Sequence, residues 1–374
     1  MAPGFVRRFL ALLRKEVRQL LRDRSNLAVG LLLPGALILL FGYGLSFDVT
    51  DAPIAVVMED GSPTARDVVA GFSGSRFLSP VPAGSMADAE QRMVRGQVNA
   101  IVRVPADFSR QLAAGNARIQ LVLNGVDSNT ANAVSGYVAG ALGVWAQRQA
   151  DRSGSRQLAG AVTVEQRMWF NEAGNSTWYL VPGLVVLIMT LTGAFLTSML
   201  VAREWERGTL EALFVTPVRP LELVAAKLLP YFVVGAIDLA MCLLAAKFLF
   251  HVPIRGSLLV VIGTSLLYLL VSLALGLFIS GMTRNQFQAS QVALLASFMP
   301  AMMLSGFVFD LRNVPVVIQG VSQVLPATHF MGLVKTLFLA GDNWGMVWRT
   351  CLILALYAVV LIAATRRTLR KKLD

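Results

Sequence analysis

Histidine and cysteine, which often bind metals or act in covalent catalysis, are almost absent from this chain. Each occurs only twice in 374 residues, and no group of Cys, Asp or Glu accompanies the histidines, so we predict no metal site. The chain also lacks the Gly-x-x-x-x-Gly-Lys-Ser/Thr loop that cradles nucleotide phosphates. We therefore predict a protein that is not an enzyme and has neither catalytic residues nor a cofactor of its own.

Charged residues are scarce as well, at 15% of the chain against 55% hydrophobic residues. This balance is unlike that of an ordinary soluble domain. Several apolar runs are about 20 residues or longer, which is enough to cross roughly 30 Å of hydrocarbon. We predict six transmembrane helices, at 28–47, 178–201, 228–250, 256–281, 288–308 and 346–365.

Basic residues outnumber acidic ones by 33 to 22, but the excess lies outside residues 48–175. That stretch holds eleven arginines, no lysine and twelve acidic residues, so it is nearly neutral. The remaining bases cluster before the first span and after the last one. Since Lys and Arg favour the cytoplasmic side, both termini are predicted to be cytoplasmic. The basic excess is therefore a topology signal, and no nucleic-acid partner is expected.

The N-terminal segment, residues 1–27, is predicted to be an interfacial amphipathic helix. At about 100° per residue, one side collects apolar side chains and the other collects basic ones. A helix of this kind lies on the cytoplasmic leaflet in contact with membrane lipid. The apolar side comprises Val6, Phe9, Leu10, Leu13, Val17 and Leu20, and the basic side includes Arg14, Lys15, Arg18 and Arg22.

Residues 48–175, between the first and second spans, form the one sizeable insertion. Strand-like runs occur at Ile54–Met58, Ala100–Val104 and Ile119–Leu123, with helical patterns between them. This alternation predicts an extracytoplasmic α/β domain with a mixed sheet. With about 125 residues, the domain is large enough to bury its own core.

The remainder, 176–374, is predicted to be a five-helix membrane region interrupted by a charged loop. Residues 203–227 carry four acids and four bases, and each charge would cost roughly 2.5–3.5 kcal/mol at the bilayer centre. The loop must therefore lie outside the hydrocarbon. Gly208-Thr209 can break and restart a helix, and Thr216-Pro217 stops it. We predict a short helix at 203–217, with Glu204, Arg207, Gly208 and Glu211 on one face.

This loop resembles the cytoplasmic coupling helix of type-2 ABC exporter permeases. In that family the loop docks on a separate ATPase, so the resemblance implies two ATPase partners that hold ATP and magnesium. It also implies a second permease copy or a paralogue, in the bacterial plasma (inner) membrane. The run Arg14-Lys15-Glu16 resembles the family's N-terminal connecting helix. The coupling residues implied are Arg203, Glu204, Arg207, Gly208, Thr209, Glu211, Leu213, Thr216 and Pro217.

The segment at 309–335 is broken by prolines into pieces too short to span, and it resembles the re-entrant outer gate of the same family. The chain differs in having Asp310 and His329 where that family often has proline and an aromatic residue. The extracytoplasmic domain resembles that of larger members of the family, and this resemblance leaves open a periplasmic adaptor as a further partner.

Asp238 is an acid within the third span, where an ionisable group is a functional candidate. The predicted pathway or gate residues are Asp238, Gly306, Phe309 and Pro326.

Two other functions are compatible with a multi-span chain. An ion-gradient-driven secondary transporter would need ionisable groups in several spans, whereas Asp238 is the one intramembrane acid in the predicted spans. A membrane-anchored sensor with an outer ligand-binding domain would need a cytoplasmic output domain. The permease of an ABC exporter, which moves a substrate outward, is the function we predict.

Overall fold

The computed structural model describes residues 3–44, 51–124, 128–153, 175–216, 218–308, 311 and 314–369. The chain divides into two compact units. One comprises Met1–Leu45 and Trp169–Asp374, and the other is Ser46–Met168. We call them the membrane unit and the inserted unit.

The chain begins with two helices, α1 (Pro3–Arg22) and α2 (Arg24–Gly44). Asp23 alone separates them, and its carboxylate accepts hydrogen bonds from the backbone and side-chain N–H groups of Asn26, at 3.1 and 2.9 Å. These bonds satisfy donors that the first turn of a helix leaves free. Asp23 therefore caps α2 at the point where the amphipathic sequence of α1 gives way to an apolar one.

The described part of the inserted unit is a four-stranded mixed sheet with four helices. Its strand order is β2-β1-β3-β4, in which β1 runs parallel to β2 and β3 while β4 is antiparallel to β3. The elements in chain order are β1 (Ala52–Met58), α3 (Pro63–Ser73), β2 (Leu78–Ala83), α4 (Met86–Val94), β3 (Ala100–Val104), α5 (Phe108–Ala113), β4 (Gln120–Leu123) and α6 (Ser128–Ser153).

Both faces of this sheet are covered, because side chains alternate between faces along each strand. Ile54 of β1 packs in a core with Phe72 of α3 and Val134 of α6. The next residue, Ala55, belongs to a separate core with Ala89 of α4. The predicted α/β domain with a mixed sheet is confirmed.

One strand was not predicted from the sequence. Strand β2 contains Pro80 and Pro82, and proline cannot donate to a sheet ladder. Such a run is tolerated at a sheet edge, where one side of the strand needs no partner. β2 occupies that edge position, pairing through Pro80 with Ile54.

In the rest of the membrane unit, the described residues form helices joined by short connections. Two π-helical turns, Ala245–Leu249 and Leu294–Phe298, extend α10 and join α12 to α13. The helices are α7 (Ser176–Ser198), α8 (Leu200–Glu206), α9 (Thr209–Val215), α10 (Pro220–Leu244), α11 (Leu258–Thr283), α12 (Gln286–Ala293), α13 (Met299–Leu304), α14 (Val316–Gln323), α15 (Pro326–Leu339) and α16 (Trp344–Thr368).

Six stretches of the described residues are long and apolar enough to cross a membrane, which confirms the predicted number of spans. In the second span, 83% of the most apolar window is buried by the rest of the protein, against 22% in the first, fifth and sixth. The second span is therefore the centre of the bundle. The spans are Asn26–Gly44, Ser176–Glu206, Pro220–Leu249, Leu258–Thr283, Gln286–Leu304 and Trp344–Thr368.

The second and fourth spans approach closely at one glycine. A Cβ atom added to Gly276 would lie 2.1 Å from the carbonyl oxygen of Ala194, so only glycine fits there. Small residues at crossings let membrane helices pack backbone to backbone. This contact holds α11 against the central α7.

Two helices between the fifth and sixth spans, α14 and α15, are too short to cross a bilayer. Helix α15 is largely buried, with Phe330 and Leu337 fully covered. Phe309, one of the gate residues predicted above, lies outside the described residues. That this region dips into the membrane stays a prediction.

Candidate functional site

Helix α1 packs along α10 through one side that the amphipathic pattern did not single out. Leu12, Glu16 and Leu20 are buried on this side. Of the residues placed on the apolar side from the sequence, Leu20 is buried, whereas Val6 and Leu10 remain exposed. The predicted pattern of one apolar side opposite one basic side is therefore incomplete, because α1 has a third side that contacts the protein.

A buried ion-pair cluster joins α1 to α8 and α10. We use this name for Lys15, Glu16, Glu204 and Lys227. Lys227 Nζ lies 3.1 Å from Glu16 Oε1 and 2.8 Å from Glu204 Oε2. Lys15 bonds to Glu204 and lies 3.0 Å from Glu16 Oε1. Two cations and two anions thus meet where three helices converge.

This cluster is closed to solvent at three of its four members. Glu16, Glu204 and Lys227 are 1%, 3% and 0% exposed, while Lys15 covers the outer edge. Burial alone would lower the pKa of Lys15, but attraction to Glu204 and Glu16 outweighs burial and raises it. Buried charges persist when each is paired, so the arrangement fixes the position of α1 relative to α8 and α10.

A second ion pair ties the start of the first span to α8. Arg203 donates to the carboxylate of Asp23, and its Nε donates to Gln286 Oε1 at 3.0 Å. Burial alone would raise the pKa of Asp23, but hydrogen bonds from Arg203 and Asn26 lower it. Arg203, near the end of the second span, thereby links that span to the starts of the first and fifth spans.

A third pair anchors the N-terminal half of α1. The Arg8 guanidinium donates to both carboxylate oxygens of Glu222 at 3.3 and 3.0 Å. Glu222 also accepts the backbone N–H of Arg219 at 3.1 Å, which caps the start of α10. Helix α1 is therefore fixed to α10 at two points, Arg8 in its N-terminal half and Glu16 in its C-terminal half.

The predicted coupling segment is two short helices, α8 and α9, separated by a sharp break. Gly208 has a φ of +65°, a conformation open to glycine and unfavourable for other residues. Helix α9 starts at Thr209, whose hydroxyl lies 3.3 Å from the carbonyl oxygen of Glu204. Pro217 and the side chain of Leu213 lie outside the described residues, and Thr216 follows the end of α9.

The break changes which side chains share a face. Arg207 and Glu211 are exposed, but Glu204 is turned inward to Lys15 and Lys227. The predicted common face of Glu204, Arg207 and Glu211 is therefore wrong for Glu204. The regular 100° spacing that placed them together does not continue through the turn at Gly208.

Polar and aromatic contacts hold the end of α8 against the neighbouring spans. Glu206 accepts the backbone N–H of Gln286 at 2.9 Å and also bonds to its side chain. The guanidinium of Arg284 lies 4.1 Å from the ring centre of Trp205, a cation–π contact. These contacts hold the end of α8 in place next to the start of α9, whereas Glu211 and Val215 of α9 are exposed.

The other predicted gate residues lie away from this site. The carbonyl oxygen of Gly306 accepts hydrogen bonds from Lys335 Nζ at 2.8 Å and from the Tyr179 hydroxyl at 3.2 Å. Pro326 is the first residue of α15, a position suited to its fixed φ. Asp238 is 1% exposed, and neither carboxylate oxygen has a hydrogen-bond partner within the described residues.

Several residues of the site were not assigned a role from the sequence. Glu16, Asp23, Glu222 and Gln286 each contact a residue far away along the chain, Glu16 and Lys227 being 211 positions apart. Periodicity within one helix carries no information about such partners. For Glu16 the available signal was charge balance, because an acid embedded in the basic helix α1 is expected to face a cation.

Comparison with known proteins agrees with this architecture. The family described as "ABC-2 family transporter protein" matches residues 27–367. The chain is 39% identical over 370 residues to "Probable multidrug ABC transporter permease YbhS" of Escherichia coli, covering 98% of each. It is 30% identical over 361 residues to "Probable multidrug ABC transporter permease YbhR" of the same organism, covering 96% of this chain and 95% of that one.

A third relative, "Inner membrane transport permease YhhJ" of Escherichia coli, is 27% identical over 357 residues, covering 89% of each chain. These matches run through the spans, the inserted unit and the coupling segment. They resolve the choice between an ABC permease and the two alternatives raised above. The chain is a multi-pass membrane protein that belongs to the ABC-2 transporter family, as a permease subunit of an ABC exporter and not itself the ATPase.

Proposed function

We propose that this permease moves amphiphilic, drug-like molecules outward, driven by ATP that a separate magnesium-dependent ATPase hydrolyses. The names of YbhS and YbhR as multidrug permeases support this substrate class. The chemistry of the spans is compatible with it, because an apolar surface binds by area and shape more than by specific hydrogen bonds. A substrate with an apolar body and a polar or charged end would suit such a pathway.

The proposed coupling rests on one contrast: α9 has exposed side chains, whereas α8, which precedes it, is bound to other helices. Helix α9 exposes Glu211 and Val215, and Glu211 makes no ion pair within the described residues. Helix α8, which precedes α9, is bound through Glu204 and Arg203 to α1, α10 and the start of the first span. A force applied by an ATPase to α9 would therefore pass to several helices together.

The proposed assembly contains two permease chains and two ATPases. One chain supplies one coupling segment, whereas a central pathway needs two facing halves, closed by two-fold symmetry or pseudo-symmetry. Two of the Escherichia coli permeases similar to this chain, YbhR and YbhS, are both described as probable multidrug ABC transporter permeases, which favours a pair of paralogues over two identical copies. A periplasmic adaptor would be a further partner of the inserted unit.

The proposed location is the bacterial plasma membrane, with both termini in the cytoplasm. Its support is the basic excess at both ends of the chain and the name of YhhJ as an inner-membrane permease. In this orientation the coupling segment faces the cytoplasm, where an ATPase is accessible.

Two substitutions test docking without touching the bundle. Glu211→Lys places the wrong charge on the exposed face of α9, and loss of a partly buried charge pair typically costs ~2–5 kcal/mol. Gly208→Val disfavours the +65° turn that aims α9. We expect both variants to insert normally but to retain less ATPase on purification and to show weaker substrate-stimulated ATP hydrolysis.

The matched control is Glu90→Lys, the same charge reversal at an exposed position of α4 in the inserted unit. It should bind and stimulate the ATPase as the wild type does. Wild-type ATPase retention in both Glu211→Lys and Gly208→Val would mean that α9 is a surface connector and that coupling uses another part of the chain.

A further inference from the structure

An open basic cleft of about 780 Å³ lies beside the ion-pair cluster, between the C-terminal half of α1, the end of α8 and the start of α12. The first span begins at Asn26, the second ends at Glu206 and the fifth begins at Gln286. The cleft therefore lies where the first and fifth spans begin and the second span ends. Its charged lining residues are Lys15, Arg18, Arg22, Asp23, Arg203 and Arg207.

Part of this positive charge is not neutralised by the protein. Lys15 is committed to the ion-pair cluster, and Arg203 is paired with Asp23. The guanidinium groups of Arg18, Arg22 and Arg207 make no hydrogen bond or ion pair with the described part of the chain, although Arg207 is attracted to Asp23 and Glu206 at longer range. Guanidinium groups bind phosphate through paired N–H donors, so the cleft has the chemistry of a phosphate site.

The exposed surface of α1 beside the cleft indicates where such a phosphate would come from. Val6, Leu10 and Leu21 are 47%, 55% and 65% exposed, and with the half-buried Leu13 and Val17 they form one apolar row along the helix. At about 100° per residue, this row lies next to the basic row that faces the cleft. An exposed apolar row beside a basic row is the arrangement of a helix that lies in the membrane interface.

We propose that the cleft binds the phosphate of an anionic phospholipid headgroup from the cytoplasmic leaflet, with Arg18, Arg22 and Arg207 as the donors. The apolar row of α1 would lie against the acyl chains, which a free phosphate lacks. Basic pockets between membrane helices on the cytoplasmic side favour such headgroups. This inference rests on the proposed orientation, with both termini in the cytoplasm, and does not depend on which ATPase docks.

A headgroup in the cleft would also act on the contact between α8 and the first span. The phosphate would compete with Asp23 for Arg203, because both groups are in the same cleft. Lipid charge would thereby modulate the pair that positions the coupling segment.

The test uses the full-length chain in nanodiscs, with retention of phosphatidylglycerol measured by native mass spectrometry. The variant is Arg18→Gln/Arg22→Gln, and the matched control is Arg7→Gln/Arg14→Gln. The control removes two charges from exposed positions of the same helix, but neither residue lines the cleft. We expect about fivefold or greater weakening in the cleft variant and less than about twofold in the control.

Other arms identify the source of the phosphate. Phosphatidylethanolamine, which carries no net charge, should not distinguish the wild type from the cleft variant. Competition by millimolar glycerol 1-phosphate as effective as that by phosphatidylglycerol would assign the cleft to a free anion and overturn the lipid source. The variant Arg18→Lys/Arg22→Lys keeps both charges without the paired N–H donors, so it should retain more lipid than the double-glutamine variant and less than the wild type. Retention no better than that of the double-glutamine variant would overturn an electrostatic site.

Two outcomes would overturn the proposal as a whole. Equal weakening in both double-glutamine variants would mean that general surface charge holds the lipid. Unchanged lipid retention in Arg18→Gln/Arg22→Gln, together with loss of the co-purified ATPase, would make the cleft part of the ATPase contact. The experiment is separable from the docking test because lipid retention is measured on the permease alone, whereas ATPase co-purification is measured on a separate preparation.

Discussion

The inserted unit and the membrane unit bury acidic side chains in different ways. Asp60 in the inserted unit is 7% exposed and accepts the backbone N–H groups of Ser62 and Ser109, both at 2.8 Å. Glu204 in the membrane unit is 3% exposed and is matched by two lysines. One acid is satisfied by backbone donors, and the other by opposite charges.

The difference follows from the backbone of each unit. The loop after β1 and the start of α5 leave N–H groups free of secondary structure, and Asp60 uses them. In a bundle of spans almost every N–H is committed to its own helix, because hydrocarbon offers no other partner. A buried acid there needs a cation from another helix, which ties distant parts of the chain together.

The largest expected effect is that of Glu204→Gln. Breaking a buried ion pair by removing one partner typically costs ~3–5 kcal/mol, and we expect about 3 kcal/mol because Glu16 still neutralises one charge. The midpoint of thermal unfolding in detergent should fall clearly. Protease cleavage near α1 should also become faster, since Glu204 helps to hold α1 in place.

The control for this prediction restores charge balance. Glu204→Gln/Lys227→Met removes one charge of each sign and should recover most of the lost stability, because an ion pair replaced on both sides costs little. Glu211→Gln, at an exposed position on α9, should change stability by less than about 0.5 kcal/mol. A double variant no more stable than the single one would show that the ion-pair cluster does not act as a unit.

The spans and most of the inserted unit could be predicted from sequence because their signals are local. Runs of about 20 apolar residues mark spans, and Ile54–Met58 and Ala100–Val104 carry enough β-branched residues to mark strands. Strand β2 was not predicted because Pro80 and Pro82 normally exclude a strand. Its position at the sheet edge, which permits proline, is a property of the assembled sheet.

The candidate site was predicted only in part for a related reason. The break at Gly208 was readable from the sequence, but the direction in which it turns Glu204 was not. That direction is set by Lys15 and Lys227, which lie 189 and 23 positions away and reach Glu204 only in the folded bundle. A charge within a loop shows that it needs a partner without showing where the partner is.

A smaller effect is expected from Asp60→Asn in the inserted unit. The substitution keeps the shape but removes the charge and one good acceptor from two backbone N–H groups. Hydrogen exchange of the Ser109 amide should be faster than in the wild type at neutral pH. Glu90→Gln, an exposed acid on α4, should leave that amide unchanged.

Asp60 also leads to a prediction about the dependence of stability on pH. The N–H groups of Ser62 and Ser109 lower the pKa of Asp60 from 3.8 to about 2. A lowered pKa contributes stability that is present above the ordinary value and is lost as pH falls through the folded one. The wild type should therefore lose its advantage over Asp60→Asn between about pH 4 and pH 2. A constant difference across this range would mean that the carboxylate charge does not stabilise the loop.

The smallest effect on stability is expected at Asp238, a buried acid that has neither backbone donors nor a cation as partners within the described residues. Neither of its oxygens has a hydrogen-bond partner among the described residues, so Asp238→Asn loses no bond and removes an unpaired charge from a costly environment. We expect the unfolding midpoint to stay the same or rise, in contrast to Glu204→Gln. Transport of a fluorescent amphiphilic cation, measured on the same preparation, separates structure from function. A loss of transport at full stability would place Asp238 in the pathway, as the sequence predicted, whereas unchanged transport would remove it from the pathway residues.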